Sequence, residues 1–351
     1  NTGSVSGAEY VGGVCGYNYG TIENSYYNNS VYSGKDVGSN YGTVTEVSGK
    51  TSEQFASGEV AYLLGGIWGQ EIGTDEYPVL NGKKVYENKT YTGCCEKYQG
   101  DVIKCEYSNT QKDAIYLGNH NFKNGTCTGC GIYEPAQLVD NYYQIGNAGN
   151  LLWFAQQVNN ERKTSINAIL TADIVVNDNL LDSLKFDKNG KVTNESDFEK
   201  WIPIGNGSRQ YQGTFDGQNH TISGLYFNDD STDYVGLFGY KHYGTIKNVG
   251  VIDSYFKGKD DVGGICGSMN YGTIENSYNT GTVSGSFRVG GVCGYNYLKC
   301  KITNSYNAGS VSGSNMYAGG VCGYKADTST IENSYNTGSV SGNQVVGGVC
   351  G

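Results

Sequence analysis

Val11-Gly-Gly-Val-Cys-Gly-Tyr-Asn-Tyr-Gly-Thr-Ile-Glu-Asn-Ser-Tyr26 is the stretch that decides the fold, because the chain repeats it. Its first half returns as Val262-Gly-Gly-Ile-Cys-Gly267, Val289-Gly-Gly-Val-Cys-Gly294, Ala318-Gly-Gly-Val-Cys-Gly323 and Val346-Gly-Gly-Val-Cys-Gly351, with a shorter form at Val235-Gly-Leu-Phe-Gly239. Starts at 235, 262, 289, 318 and 346 are separated by 27, 27, 29 and 28 residues. Its second half, Gly-Thr-Ile-Glu-Asn-Ser-Tyr, is complete at 20–26 and 272–278, with versions at Ile302-Thr-Asn-Ser-Tyr306 and Ile331-Glu-Asn-Ser-Tyr335. A Val-Ser-Gly piece beginning at Val283, Val311 and Val340 closes each unit.

Three short β-prone pieces per unit, bounded by Gly or Asn, match one coil of a parallel β-solenoid. Alternation agrees: in Thr-Ile-Glu the Ile points one way and its neighbours the other. Coils about 4.8 Å apart would superimpose equivalent residues. The expected ladders are Asn248, Asn276, Asn304 and Asn333, and Tyr278, Tyr306 and Tyr335. Stacked amides hydrogen-bond along the axis and stacked rings cover one another, so each coil is held by its neighbours. The expected fold class is all-β: parallel β-solenoid rods with helical or loop caps and a small Cys-rich insert.

Composition narrows the function. The 351 residues include 54 Gly and 31 Tyr but 3 Pro, and charged residues are 17%. A net charge of −10 argues against nucleic acid as a partner. The aromatic content argues against disorder, and no apolar run approaches the ~18 residues of a membrane span. Asn1-Thr-Gly-Ser-Val-Ser-Gly7 recurs as 336–342, so the chain reads as a fragment of a longer protein. An absent signal peptide therefore carries no information on secretion.

The 11–26 segment and its copies resemble the GLUG-motif repeats of bacterial cell-surface proteins, over about 1–34 and 228–351. The resemblance implies stalks or adhesive regions, including non-catalytic parts of some immunoglobulin A proteases. Residues 1–49 are then the end of a first array, and 50–85 a closing cap. Thr51-Ser-Glu-Gln54 has capping-box spacing for a short helix ended by Gly58, and Leu63, Leu64, Ile67 and Trp68 are apolar enough to cover the last coil. Residues 86–134 are a Cys-rich insert, 135–165 an opening helical cap, 166–227 the first solenoid strands and 228–351 the second array. In the opening cap Leu151, Phe154, Ala155 and Val158 have helical spacing. Strands are expected at Ile169–Val176, Trp201–Gly205, Tyr211–Gly217 and His220–Tyr226.

The eleven Cys form two populations. Cys15, Cys266, Cys293, Cys322 and Cys350 share one repeat position, which Phe238 fills in the 235–239 copy. A position that accepts Phe or Cys is an inward apolar site, where a thiol acts as a small hydrophobe. Parallel stacked side chains fit disulfide geometry badly, although the distance between coils would allow a bond. Cys300, beside two Lys, is expected to be exposed or paired elsewhere. In the insert, Cys127-Thr-Gly-Cys130-Gly131 reads as a zinc-knuckle-like turn, with Cys95 and Cys105 as the second pair of a four-sulfur zinc site. The segment 120–131 resembles a short zinc-ribbon-like unit. The ten-residue offset between Cys95 and Cys105 departs from that pattern, leaving Cys94, Cys95 and His120 as competing ligands. Two disulfides are the alternative.

No catalytic constellation emerges, and the expectation is a non-enzyme. The histidines, His120, His220 and His242, form no His-Glu-x-x-His. Gly3-Ser-Val-Ser-Gly7 has Val where a nucleophile elbow needs Ser, and it recurs with the repeat. Asp229, Asp230, Asp233, Asp260 and Asp261 flank turns, without tight calcium spacing. Asp216 reads as a turn residue. Tyr17, Tyr19, Tyr271, Tyr295 and Tyr297, beside Asn and Gly, are candidates for stacking on sugars or covering one another. The expected role is a structural or adhesive rod of an extracellular surface protein. Its partners would be further copies, in tandem or head to tail, and host or microbial glycans. A carbohydrate-binding module is the first alternative, and a β-helix polysaccharide-degrading enzyme the second.

Overall fold

A computed structural model describes residues 1–326 and 328–351 and divides the chain into two compact units, Asn1–His120 and Asn121–Gly351. In the second unit the repeat folds as its alternation dictates. Each coil contributes to four sheets of parallel strands, one coil directly over the next. The Thr-Ile-Glu pieces Thr245–Lys247, Thr273–Glu275, Lys301–Thr303 and Thr330–Glu332 pair in register, stacking Ile246, Ile274, Ile302 and Ile331. Tyr278 and Tyr306 pair with Tyr306 and Tyr335 in a second sheet. Val283, Val311 and Val340 align in a third. Phe238, Cys266, Cys293 and Cys322 align in the fourth, and the Cys350 backbone pairs in parallel with that of Cys322.

The Asn-Ser-Tyr-Asn tetrapeptide makes the corner between the first two sheets, and each residue has one task. Asn248, Asn276, Asn304 and Asn333 adopt φ of 52°, 49°, 49° and 49°, a left-handed turn that Asn tolerates better than most side chains. Nδ2 of Asn276 donates to Asn248 Oδ1 at 3.1 Å, and that of Asn304 to Asn276 at 3.2 Å. The turn breaks the backbone ladder, and serine repairs it. Ser305 Oγ accepts the Ser277 N–H at 3.2 Å while donating to Thr303 O at 2.8 Å. Outside, the rings of Tyr278, Tyr306 and Tyr335 stack at 4.8 and 5.0 Å, tilted by 3° and 5°. Inside lies a second amide ladder that the repeat pattern did not announce. Asn279 donates to Asn307 at 2.9 Å, and Asn307 to Asn336 at 2.8 Å. Asn279 and Asn307 are fully buried.

This inner ladder explains the second Gly of Gly-Gly-Val-Cys. A Cβ on Gly264, Gly291 or Gly320 would overlap the side-chain amide of Asn279, Asn307 or Asn336. The Cys that follows has a buried free thiol at 266, 293 and 322, in van der Waals contact with the apolar core. Removing each such side chain from water stabilises the coil by roughly 1–3 kcal/mol.

The helix Ala148–Asn159 covers the first coils, with Asn147 capping it by accepting the Asn150 N–H at 2.8 Å. Leu151, Phe154, Ala155 and Val158 point into the core with Ile145, Tyr211 and Phe215. Three details differ from the strands expected there. Ile169–Val176 is two strands, Asn167–Leu170 and Ile174–Val175, turning a corner between sheets. His220–Tyr226 is likewise split at Gly224, whose φ of 76° makes the corner. Trp201–Gly205 forms only an isolated bridge, Ile204 to Phe238, because Pro203 lacks a ladder N–H.

The first unit opens with two coils. Cys15–Asn18 and Thr21–Asn28 pair in parallel with Val37–Asn40 and Thr43–Lys50. The array thus runs to Lys50 although its second coil lacks the Gly-Gly-Val-Cys signature. Asn18 still donates to Asn40 at 2.8 Å. Thr51 and Gln54 form the expected capping box of the helix Ser52–Ala56, and Gly58, φ 91°, leads into Glu59–Leu64. The cover over the coil is made by Phe55, Val60 and Leu64 against Tyr26. Leu63, on the outer side of the second helix, and Ile67 and Trp68, beyond its end, are exposed instead. A three-stranded sheet follows, with Tyr86–Tyr91 between Val102–Ser108 and Ile115–Tyr116.

Candidate functional site

In the first unit, Tyr86–Tyr91 and Ile115–Tyr116 run parallel, Tyr91 opposite Tyr116, so their ends emerge together. The chain leaves one strand into the Cys95–Tyr98 turn and the other toward His120, with Gly118 N donating to Gly93 O at 3.0 Å. This brings Cys94, Cys95 and His120, all half-buried, to within 4.8 Å of one another by their ligand atoms. The two sulfurs are 3.8 Å apart. Two thiolates on one tetrahedral zinc, with Zn–S of about 2.3 Å, stand ~3.8 Å apart. Two sulfurs and an imidazole are a donor set suited to zinc, and these three residues could hold a metal ion.

The set expected from spacing was Cys95, Cys105, Cys127 and Cys130. Cys105 stands elsewhere on the same sheet, opposite Lys89, exposed, its Sγ donating to Glu87 Oε1 at 3.0 Å. Burial and then the Glu87 carboxylate push its thiol up. In the second unit, Cys127 and Cys130 are buried in the turn after the Phe122–Lys123 and Thr126–Cys127 hairpin. Gly131, φ 72°, closes that turn through its N–H to Cys127 O at 2.8 Å.

Cys300 corrects its expected exposure. It is 2% exposed, because its turn folds inward, and Sγ donates to Met269 O at 3.2 Å and to Leu298 O at 3.3 Å. Burial pushes its thiol up to about 11. The neighbouring thiols of Cys266 and Cys322, and then burial, hold Cys293 well above the usual range. Cys266, Cys293 and Cys322 are buried core side chains with free thiols.

The candidate tyrosines are surface residues in contact with other rings. In the first unit Tyr17 lies 5.1 Å from Tyr10, 5.0 Å from Tyr19 and 5.4 Å from Tyr41. Tyr19 and Tyr41 remain 75% and 68% exposed, enough ring surface to receive a ligand. Hydrogen bonds from Tyr19 and Tyr41 hold the Tyr17 phenol above its usual value. In the second unit Tyr271 stacks on Tyr243 at 5.3 Å. Tyr295 is half-buried, 5.1 Å from Tyr297 and 5.5 Å from Tyr324, with the Arg288 guanidinium 4.6 Å over its ring.

The acidic residues are engaged locally. Asp229 accepts from Ser231 and Thr232 in its own turn, which holds its carboxyl down at about 2. Asp230 pairs with Lys257, and Lys259 with Asp233 and Asp260. Asp261 is buried against Arg288, and burial pushes its carboxyl up to about 6 despite that partner. Asp216 accepts from Gln218 and Asn248, ending the outer Asn ladder.

These coils define a β-solenoid repeat protein. More specifically, four of its segments are GLUG-motif repeats: the GLUG motif matches residues 7–32, 261–284, 285–312 and 314–341. Over 79 residues the chain is 35% identical to a protein described as a Gly-rich membrane protein from Evansella cellulosilytica, covering 22% of this chain and 9% of that one. The chain thus spans about a tenth of the length of that relative. No solved structure matches it. Among the described residues no helix is long and apolar enough to cross a membrane.

Proposed function

We propose that this chain is a non-catalytic rod segment of a large extracellular, surface-located bacterial protein. The observation that carries this reading is the register. The four solenoid sheets of the second unit repeat coil on coil, with amide, hydroxyl and ring ladders running along the stack. Such a stack resists bending and lengthens by adding coils, which suits a stalk or adhesive filament built from tandem arrays. The similarity to a Gly-rich membrane protein is in keeping with a place at the cell envelope. Protease shaving of intact cells, followed by immunodetection of this segment, tests the location. A segment that survives shaving while a known surface marker is digested overturns it.

A second reading has its own support in the exposed Tyr10, Tyr17, Tyr19 and Tyr41 cluster, which offers ring surface for glycans. A glycan array with the whole chain separates the readings: binding that Tyr19→Ala and Tyr41→Ala abolish makes the rod a glycan-binding adhesin. Hydrolysis of any arrayed glycan would replace both with an enzyme. The Cys94, Cys95 and His120 group is proposed as a structural zinc site that fixes the strand ends of the first unit.

A further inference from the structure

We propose that a polar depression beside the opening helix of the second unit binds acidic carbohydrate, through the carboxylate of a uronic acid residue. The depression measures about 570 Å³ and is lined by Arg162, Thr164, Ser208, Arg209, Gln210 and Gln212. That volume lies within the ~300–1,000 Å³ of small-molecule sites. The chain has three arginines against 34 acidic residues, and two of the three line this one hollow. No acid lines it.

The two arginines are held differently. Arg162 follows the Ala148–Asn159 helix, and its guanidinium makes no ion pair or hydrogen bond among the described residues. Arg209 closes a turn, its N–H donating to Asn206 Oδ1 at 3.0 Å, and one guanidinium nitrogen donates to the helix-terminal carbonyl of Asn159. That bond anchors the side chain and leaves most of its donor fork unused. Gln212 N donates to Thr164 O at 2.8 Å, tying the two walls together. A planar guanidinium matches a carboxylate through two parallel hydrogen bonds. The side-chain hydroxyls and amides of the lining both donate and accept, which suits sugar hydroxyls. Among the described residues no aromatic ring lines the hollow, so the site is independent of the tyrosine clusters.

Calorimetry on the full chain tests the assignment with trigalacturonate, the matching neutral galactose trisaccharide, acetate and inorganic sulfate. The expected result is binding of trigalacturonate only, weakening as salt is raised. Arg162→Gln should reduce affinity roughly ten- to a hundredfold, the loss for a charge-assisted hydrogen bond, with an unchanged circular dichroism spectrum. Arg209→Lys, which keeps the charge but loses the fork, should weaken binding less. Absence of trigalacturonate binding at millimolar concentration, equal binding of the neutral trisaccharide, or an Arg162→Gln affinity equal to wild type would each overturn the proposal. Sulfate or acetate binding as tightly as the trisaccharide would also do so, by showing an anion hole without sugar recognition.

Discussion

Asn307 is the residue through which the ladder account is most sharply tested. Its buried side chain accepts from Asn279 at 2.9 Å, donates to Asn336 at 2.8 Å, and closes its own turn through Gly309 O at 2.8 Å and Gly309 N at 3.3 Å. In Asn307→Ala the neighbouring amides keep their own turns: Asn279 still bonds Gly281, and Asn336 still bonds Gly338. The buried N–H and C=O of Gly309 are orphaned. At about 1–3 kcal/mol for each unsatisfied group the loss is about 2–6 kcal/mol. For a unit of this size that lowers the melting temperature by about 5–20 °C. Asn304→Gly in the exposed outer ladder keeps the left-handed turn and loses only solvent-accessible bonds, so it should cost under about 1 kcal/mol. Asn307→Asp adds a pH signature. An ionised carboxylate cannot donate to Gly309 O or Asn336 Oδ1, so its folded pKa lies above the unfolded value of about 3.9. Its stability is therefore highest below that value and falls as pH rises through the folded pKa. Thermal and urea unfolding by far-UV circular dichroism should show its deficit against wild type widening from pH 4 to 7. A flat deficit, or an Asn307→Ala no less stable than Asn304→Gly, would refute the reasoning.

Three further outcomes are expected. Arg288→Met leaves Asp261 buried without its cation, raising further a carboxyl already at about 6. A raised folded pKa means stability present below the unfolded value and lost as pH rises, so the variant's deficit should be larger at pH 7.5 than at pH 4.5, and equal deficits would exclude the pair as its cause. Zinc measured on purified chain by mass spectrometry should fall in Cys94→Ser and His120→Ala but persist in Cys105→Ser, while Cys127→Ser and Cys130→Ser test the Cys-x-x-Cys pair. Metal-free wild type would end the zinc proposal. Glu87→Gln should speed iodoacetamide labelling of Cys105 by removing the carboxylate that holds its thiol protonated, whereas Cys293 and Cys322 stay unlabelled until denaturant is added; prompt labelling of either would disprove their burial.

What could be read in advance follows the strength of the local chemistry. Ile274, Val283 and Cys293 recur at one position per coil, and parallel stacking makes that recurrence visible as a period. The Val37–Lys50 coil shows no such motif, since backbone pairing accepts almost any side chain on its open face. The inner Asn ladder was hidden because Asn279 follows Tyr278 at what looks like a loop residue; only its enclosure beneath Gly264 makes it structural. Cys300 looked exposed from its Lys neighbours, but a one-residue corner reverses side-chain direction. For the Cys-rich segment, Cys-x-x-Cys spacing drew attention to Cys127 and Cys130. The grouping of Cys94, Cys95 and His120 arises from a parallel strand pair that no spacing rule encodes.

The two amide ladders also bear on why such coils can be added in number. Outer side chains donate toward the start of the chain, from Asn304 to Asn276 to Asn248 and onto the Asp216 carboxylate. Inner ones donate the other way, from Asn279 to Asn307 to Asn336. Their dipoles oppose, so lengthening the stack accumulates little net field from the side chains. The outer ladder ends on a group that only accepts: Asp216 takes the Asn248 amide on Oδ1 and the Gln218 amide and Lys247 ammonium on Oδ2. Asp216 therefore caps the outer ladder chemically, while the Ala148–Asn159 helix covers the apolar core of the first coils. Substituting Asn for Asp216 would keep an oxygen for Asn248 but set an amide N–H2 against the Gln218 Nε2 and Lys247 Nζ donors that Asp216 Oδ2 now accepts, and the first coils should fray before the rest, detectable as faster hydrogen exchange confined to 215–250.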